Sequence, residues 1–332
     1  MFHIHNGEST AGTLREFGFP GEHFAFQEVL MAGPTPSGLS PDEWLTTRAR
    51  YLSDAYDLNS EDCGMNLLKQ EAALQNCSEH GETILWFEHD LFCQINLIYL
   101  LDWFSNQSRD KNKLSLICIG VFPGVEDFRG LGQLTGEQLA SLFDDRHQVT
   151  QKEFGVAKQA WEAYCSTDPR DILRLLEGDT SAMPFLRNAL LLQLARFPSV
   201  LNGLGRIENR ALELISRGAT EFKSLFPRFW KVEPVYGLGD AQFWNELKRM
   251  AEARNPLITT SGLDSQSQKF HHASFDLTAA GREVLAGSRD FIDENGIDLW
   301  LGGVHMGDGR AVWRWDDDHT ELLARSGVSK KG

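Results

Sequence analysis

Two apolar runs, residues 83–87 and 114–120, constrain this chain more than anything else in it. Each is strand length, holds no breaker and shows little polar alternation, which marks a strand buried on both faces. Between them, residues 91–104 place Leu91, Ile95, Ile98 and Leu101 near one face of a helix. Strand, helix and strand joined by connections this short make a parallel pair. The chain opens the same way. Residues 1–5 read as a strand, Ser9 or Thr10 as the cap of a helix ended by Gly18, and residues 24–30 as a second strand. The expected fold is α/β, a three-layer parallel sheet of Rossmann or flavodoxin type.

Beyond the sheet the periodicity turns helical. Ser40-Pro41-Asp42-Glu43 is a strong helix opening, with a cap, Pro at the first helical position and acids over the first turn. Residues 135–143, 150–165 and 183–197 read as helices, and so do 208–217, 221–226 and 240–253. Residues 256–260 and 275–277 then read as two strands joined by a polar loop at 265–274, before a helix over 278–286. Three helices followed by a β-hairpin is a winged-helix order. Residues 299–304 and 311–315, around Gly307-Asp308-Gly309, predict a terminal hairpin, and Lys330 and Lys331 a frayed end. The expected division is an α/β domain over 1–130, a helical segment over 131–203, a winged-helix-like module over 204–290, and a hairpin with its tail over 291–332.

Charge limits the partners. The net charge is −15, and residues 1–130 carry 8 Lys and Arg against 19 Asp and Glu, whereas 201–290 carry 12 against 11. Such an acidic first domain argues against long contact with a nucleic-acid backbone there, though not against a small anion held by backbone amides. Five scattered cysteines without a C-x-x-C pair suit reduced thiols, and no apolar run reaches membrane-spanning length. With no signal-like start, the expectation is a cytoplasmic protein with no membrane partner.

Ligands of parallel sheets bind at the edge where the strands end. Two turns meet that edge. Asn6-Gly7-Glu8-Ser9 follows the first strand, where a glycine permits close backbone approach and the helix amides favour an anion. Ser9 adds a hydroxyl, or merely caps the helix. Glu88-His89-Asp90 follows the strand over 83–87, and three ionisable groups there are costly to bury unless paired, metal-bound or facing a cleft. Alternation sends Glu88 and Asp90 one way and His89 the other. The blander reading makes Asp90 a helix cap and gives Glu88 a neighbouring Arg or amide. A divalent metal could take the carboxylates and an imidazole, with His3 or His5 completing the set.

Several patches resemble a bacterial family described as domain of unknown function 1835. They are His3 with Asn6-Gly7-Glu8-Ser9 and Ala11-Gly12; Glu28-Val29-Leu30 with Gly33-Pro34; Trp86-Phe87-Glu88-His89-Asp90-Leu91; Gly130-Leu131-Gly132-Gln133-Leu134; Asp179-Thr180-Ser181-Ala182; and Trp300-Leu301-Gly302-Gly303-Val304-His305. Glu8 stands where that pattern more often has Asp. The family description carries no activity, so the resemblance implies architecture alone. Gly7-Glu8-Ser9 is also similar to the opening block of GDSL-type esterases, whose base would be His319 three residues after Asp316.

These readings give two functional expectations. In one, the protein is a hydrolase or a phosphoester or metal-dependent enzyme holding a small anionic or nucleotide-like ligand. Its chemistry falls to Glu88, His89, Asp90 and Ser9, and its binding to His3, His5, Asn6, Gly7 and Glu8. In the other, the crevice senses a ligand and the winged-helix-like module transmits it to a protein partner or, through Lys248, Arg249 and Arg254, to DNA.

Overall fold

The computed structural model describes residues 1–107, 113–263 and 270–325. Lys330, Lys331 and the first half of the 265–274 loop, residues 265–269, lie outside the described residues. The chain divides into two compact units, Met1–Leu190 with Gly302–Val304, and Leu191–Leu301 with His305–Gly332.

The first unit runs β1 (Phe2–Asn6), α1 (Glu8–Phe17), β2 (Glu22–Phe26), a two-residue β3 (Gly33–Pro34), α2 (Pro41–Tyr56) and α3 (Ser60–Asn76). It continues through β4 (Glu82–Glu88), α4 (Leu91–Ser105), β5 (Lys113–Ile119), α5 (Gly136–Ser141), β6 (His147–Gln148), α6 (Gln151–Tyr164) and α7 (Arg170–Glu177). The main sheet has the order β2-β1-β4-β5-β6; its first four strands are parallel and β6 is antiparallel. From β1 the chain steps one way to β2, and from β4 the opposite way to β5. Right-handed crossovers therefore put α1 and α4 on opposite faces of the sheet. The reversal falls between β1 and β4, which are direct neighbours.

On the α1 face, Leu14, Ile84, Trp86, Ile117, Leu131, Leu134, Leu139 and Leu142 form one core. The sheet thus draws apolar side chains from beyond residue 130. On the other face α4 packs against α6, and ten of its fifteen residues are buried. The capping box at Ser40 and Glu43 forms as its sequence predicts.

The second expected strand, 24–30, is shifted. β2 spans Glu22–Phe26, and the chain beyond it turns inward around the fully buried Arg48. That guanidinium donates to the carbonyls of Val29, Ala32 and Pro34 and to Glu28 Oε1 at 2.7 Å. Carbonyls served by a guanidinium do not need a strand ladder.

α8 (Leu186–Leu194) carries the chain into the second unit, which holds α9 (Arg206–Ser216), α10 (Phe222–Val232) and α11 (Asp240–Ala251). The antiparallel pair β7 (Ile258–Ser261) and β8 (Ser274–Leu277) follows, then α12 (Ala279–Leu285) and α13 (Phe291–Asn295). α10 runs past Pro227, where the sequence suggested an end; Phe222, Leu225 and Phe229 bury its apolar stripe on both sides of the proline. The last strands are β9 (Leu299–Gly302), β10 (Val304–Met306), β11 (Val312–Asp316) and β12 (Glu321–Arg325). The terminal hairpin is β11 with β12, not the expected pairing of 299–304 with 311–315. Its turn is set by Asp316, whose carboxylate accepts from the amides of Asp318 and His319, and by Thr320 at φ 53°. Among the described residues no helix is long and apolar enough to cross a membrane.

Candidate functional site

In α/β sheets the crevice for ligands opens where the strand order reverses. Here that point lies between the ends of β1 and β4, and the two turns singled out in the sequence both reach it. Gly7 follows β1 with φ 102° and ψ 168°, a conformation closed to other residues, and a side chain there would meet nothing within 4 Å. It is the N-cap of α1, and no side chain caps that helix. Ser9 is accordingly not the cap. It lies exposed in the first turn, beside Gly132, where a Cβ would come to 3.0 Å from Ser9 Oγ. Glu8 turns away to pair with Arg15.

At the end of β4, Glu88 continues the Ile84–Trp86 face and tucks under the Gly130–Leu131 turn, accepting from the Leu131 amide. A Cβ on Gly130 would collide with the Glu88 carboxylate, so glycine permits the close roof. Asp90 is buried and caps α4, its Oδ1 accepting from the Cys93 amide at 2.8 Å. Ligand atoms of Glu88, Asp90 and Cys93 all lie within 4.8 Å of one another. Burial and then the neighbouring Asp90 push the Glu88 carboxyl up to about 8. Burial also lifts Asp90 to about 6, against the hydrogen bonds from Cys93 that favour its anion. The two share protons across neutral pH.

His89 points elsewhere, between the rings of Phe128 and Phe185, and burial lowers its proton affinity. Its Nδ1 is buried with no hydrogen-bond partner. Asn6 joins β1 to α4, donating to Cys93 Sγ at 2.8 Å and accepting from Asn96 at 2.7 Å.

The structure does not bring His3 and His5 to the carboxylates. Both are fully buried and stack with His23. His3 accepts from Trp86 Nε1 at 3.1 Å through Nδ1 and donates to the Pro20 carbonyl through Nε2. His23 donates to the Phe19 carbonyl, which leaves its Nδ1 to accept from His5 Nε2 at 3.0 Å. This network fixes neutral tautomers. Burial, then His23, hold His3 down to about 4, and the same causes take His5 well below its ordinary value. These rings are held by one another and by Trp86.

In the second unit, Arg249 pairs with Glu208 and lies 3.8 Å from Glu246, with its guanidinium drawn away from solvent. Lys248 is half exposed near Glu252 and Arg254 is exposed, so the three cations do not form one presented patch. Asp316 and His319 bond each other at 2.9 Å on the exposed β11–β12 turn, and that turn accounts for their spacing.

Sequence reasoning missed the buried Glu28–Arg48 pair and an aromatic-lined cavity beside it. The only local signal was Tyr99 and Trp103, four apart on α4; the other rings come from distant elements. No family model matches the chain, and no curated protein matches it either.

Proposed function

We propose that the first unit binds a small anionic, nucleotide-like ligand between the Gly7–Ser9 turn and the Glu88–Asp90 turn. We further propose that Glu88 and Asp90 act on it as the acid and base of a hydrolytic enzyme. The observation that carries this reading is the pair of carboxyls, Asp90 buried and Glu88 half-buried, with raised proton affinity at the point where the strand order reverses. The β2-β1-β4-β5 order supports a doubly wound sheet of flavodoxin type. Uncapped amides at the start of α1 and the Ser9 hydroxyl would take the anion's oxygens. Protonated Glu88 would donate to a ligand oxygen, and ionised Asp90 would accept a proton.

The Glu88, Asp90 and Cys93 donors favour a second reading, a divalent cation. The two readings differ in sign. A cation displaces protons, so its binding tightens as pH rises. An anion that accepts from protonated Glu88 binds more weakly as pH rises through about 8. Calorimetric titration with inorganic phosphate, with adenosine monophosphate and with Mn²⁺ at pH 6 and pH 9 separates them. The anion reading expects the nucleotide to bind at least tenfold more tightly at pH 6, with this dependence abolished in Glu88→Gln. Tighter Mn²⁺ binding at pH 9 with no anion binding overturns it, and so does anion affinity indifferent to both pH and the substitution.

The helix order of α9–α11 with the β7–β8 hairpin supports a winged-helix-like module. Because Arg249 is engaged internally, we read that module as facing a protein partner rather than DNA.

A further inference from the structure

The first unit holds a cavity of about 430 Å³ among α2, α3, α4 and α6, a size typical of a small-molecule site. Its walls are aromatic. Trp44 and Tyr99 lie parallel, with ring centroids 6.1 Å apart and 7° between their planes. Trp161 stands across both, at 72° to Trp44 and 67° to Tyr99, so the rings form two orthogonal walls. Phe26 stacks on Tyr99 from the sheet side, and Trp103 closes another edge.

The polar lining has one sign. Glu28, Glu71 and Glu162 border the cavity, and among the described residues no Lys, Arg or His lines it. Glu28 is the informative one. Its side chain is only 4% exposed, and Oε1 is taken by Arg48 and by the Val29 amide. Its Oε2 is buried with no hydrogen-bond partner. A carboxylate oxygen left in that state is costly unless something answers it. Arg48 cancels the Glu28 charge, which leaves the exposed Glu71 and Glu162 as net negative charge at the rim.

Aromatic faces attract cations through the ring quadrupole, most strongly for Trp and most usefully for alkylated ammonium groups, which shed water easily. Rings meeting at right angles wrap such a group, and rim carboxylates add attraction that a neutral ligand of the same shape would not feel. We infer that this cavity is a binding site for a small organic cation bearing an alkylated ammonium group. The rings of Trp44, Tyr99 and Trp161 hold the cationic head, and Glu71 and Glu162 at the rim draw the charge in. This inference is independent of the strand-mouth reading. It uses the opposite face of the sheet and none of Glu88, Asp90 or Ser9.

The test is calorimetric titration of the full chain with choline and with tetraethylammonium, each against 3,3-dimethylbutan-1-ol, the uncharged shape analogue of choline. The expected result is binding of at least one of the two cations, at least tenfold tighter than the alcohol. The double variant Glu71→Gln/Glu162→Gln, at exposed positions that leave the core untouched, should weaken the cation by about threefold to tenfold and leave the alcohol unchanged. Trp161→Leu should abolish cation binding where circular dichroism shows the variant folded. Equal affinity for cation and alcohol, or no binding of either cation by the native chain, would overturn the inference.

Discussion

The three stacked histidines and the two carboxyls at the end of β4 are both clusters of ionisable groups buried within one sheet, yet they behave oppositely. His3, His5 and His23 are neutral, and their ring nitrogens bond one another, Trp86 and two carbonyls, apart from a single unpartnered nitrogen on His5. Asp90 is answered by backbone amides, that of Cys93 among them, and Glu88 by the Leu131 amide, yet both keep a raised proton affinity, because burial outweighs those bonds and the Asp90 charge opposes ionisation of Glu88. The histidines use their polarity to lock β1 to β2 and β4. The carboxyls hold theirs at a strand end, where burial displaces their titration instead of locking strands together. Burial alone does not mark a site; a proton affinity displaced toward neutral pH at a strand end is what sets the carboxyls apart from the histidines.

The largest effect should come from breaking the first cluster. His3→Ala removes the acceptor of the Trp86 indole and leaves a hole in the sheet's core, which together cost about 3–5 kcal/mol. Denaturant unfolding at pH 7.5 measures it, while phosphate binding by the folded variant stays unchanged. A loss under about 1 kcal/mol would show that the stack is decoration. The native chain should also weaken in acid. Above pH 6.5 the rings are neutral whether folded or not. Between 6.5 and about 4 the unfolded chain takes up the proton that folded His3 refuses, so stability falls as pH drops.

The carboxyl pair should show the reverse. Below about pH 4.5 Glu88 is protonated in both states. From there to about 8 the unfolded chain releases a proton that the folded chain keeps, so stability is lost as pH rises. Glu88→Gln keeps an acceptor for the Leu131 amide and removes the titration. It should therefore stabilise the protein by about 3 kcal/mol at pH 7 and by almost nothing at pH 4.5. Paired unfolding curves at the two pH values check it; a destabilised variant at pH 7 would place Glu88 with the histidines as a structural group.

The sequence made one half of this contrast legible. Unbroken apolar runs can pack only between layers, so the parallel strands and the shared edge of the Gly7 and Glu88 turns followed from pattern and chain direction. The histidine stack was not legible, because His3 and His23 meet only once β1 and β2 pair in register. The Glu28–Arg48 pair escaped for a related reason. A buried guanidinium reorganised a segment that reads as strand, and nothing in the local sequence announces a partner twenty residues away. The terminal hairpin was misassigned because glycine-rich turns signal a reversal without saying which strands then pair.

The smallest expected effect bears most directly on the site. Had Ser9 capped α1, Ser9→Ala would cost about 1 kcal/mol. With Gly7 at the cap and Ser9 Oγ facing the Gly132 turn, the same substitution should change stability by no more than about 0.5 kcal/mol. It should nonetheless weaken phosphate or nucleotide binding several-fold, since it deletes a donor from the anion's surroundings. Melting curves and calorimetry on one preparation give both numbers. A stability loss without an affinity loss would return Ser9 to the structural side of the comparison, and would leave the α1 amides as the sole anion contact on the β1 side of the edge.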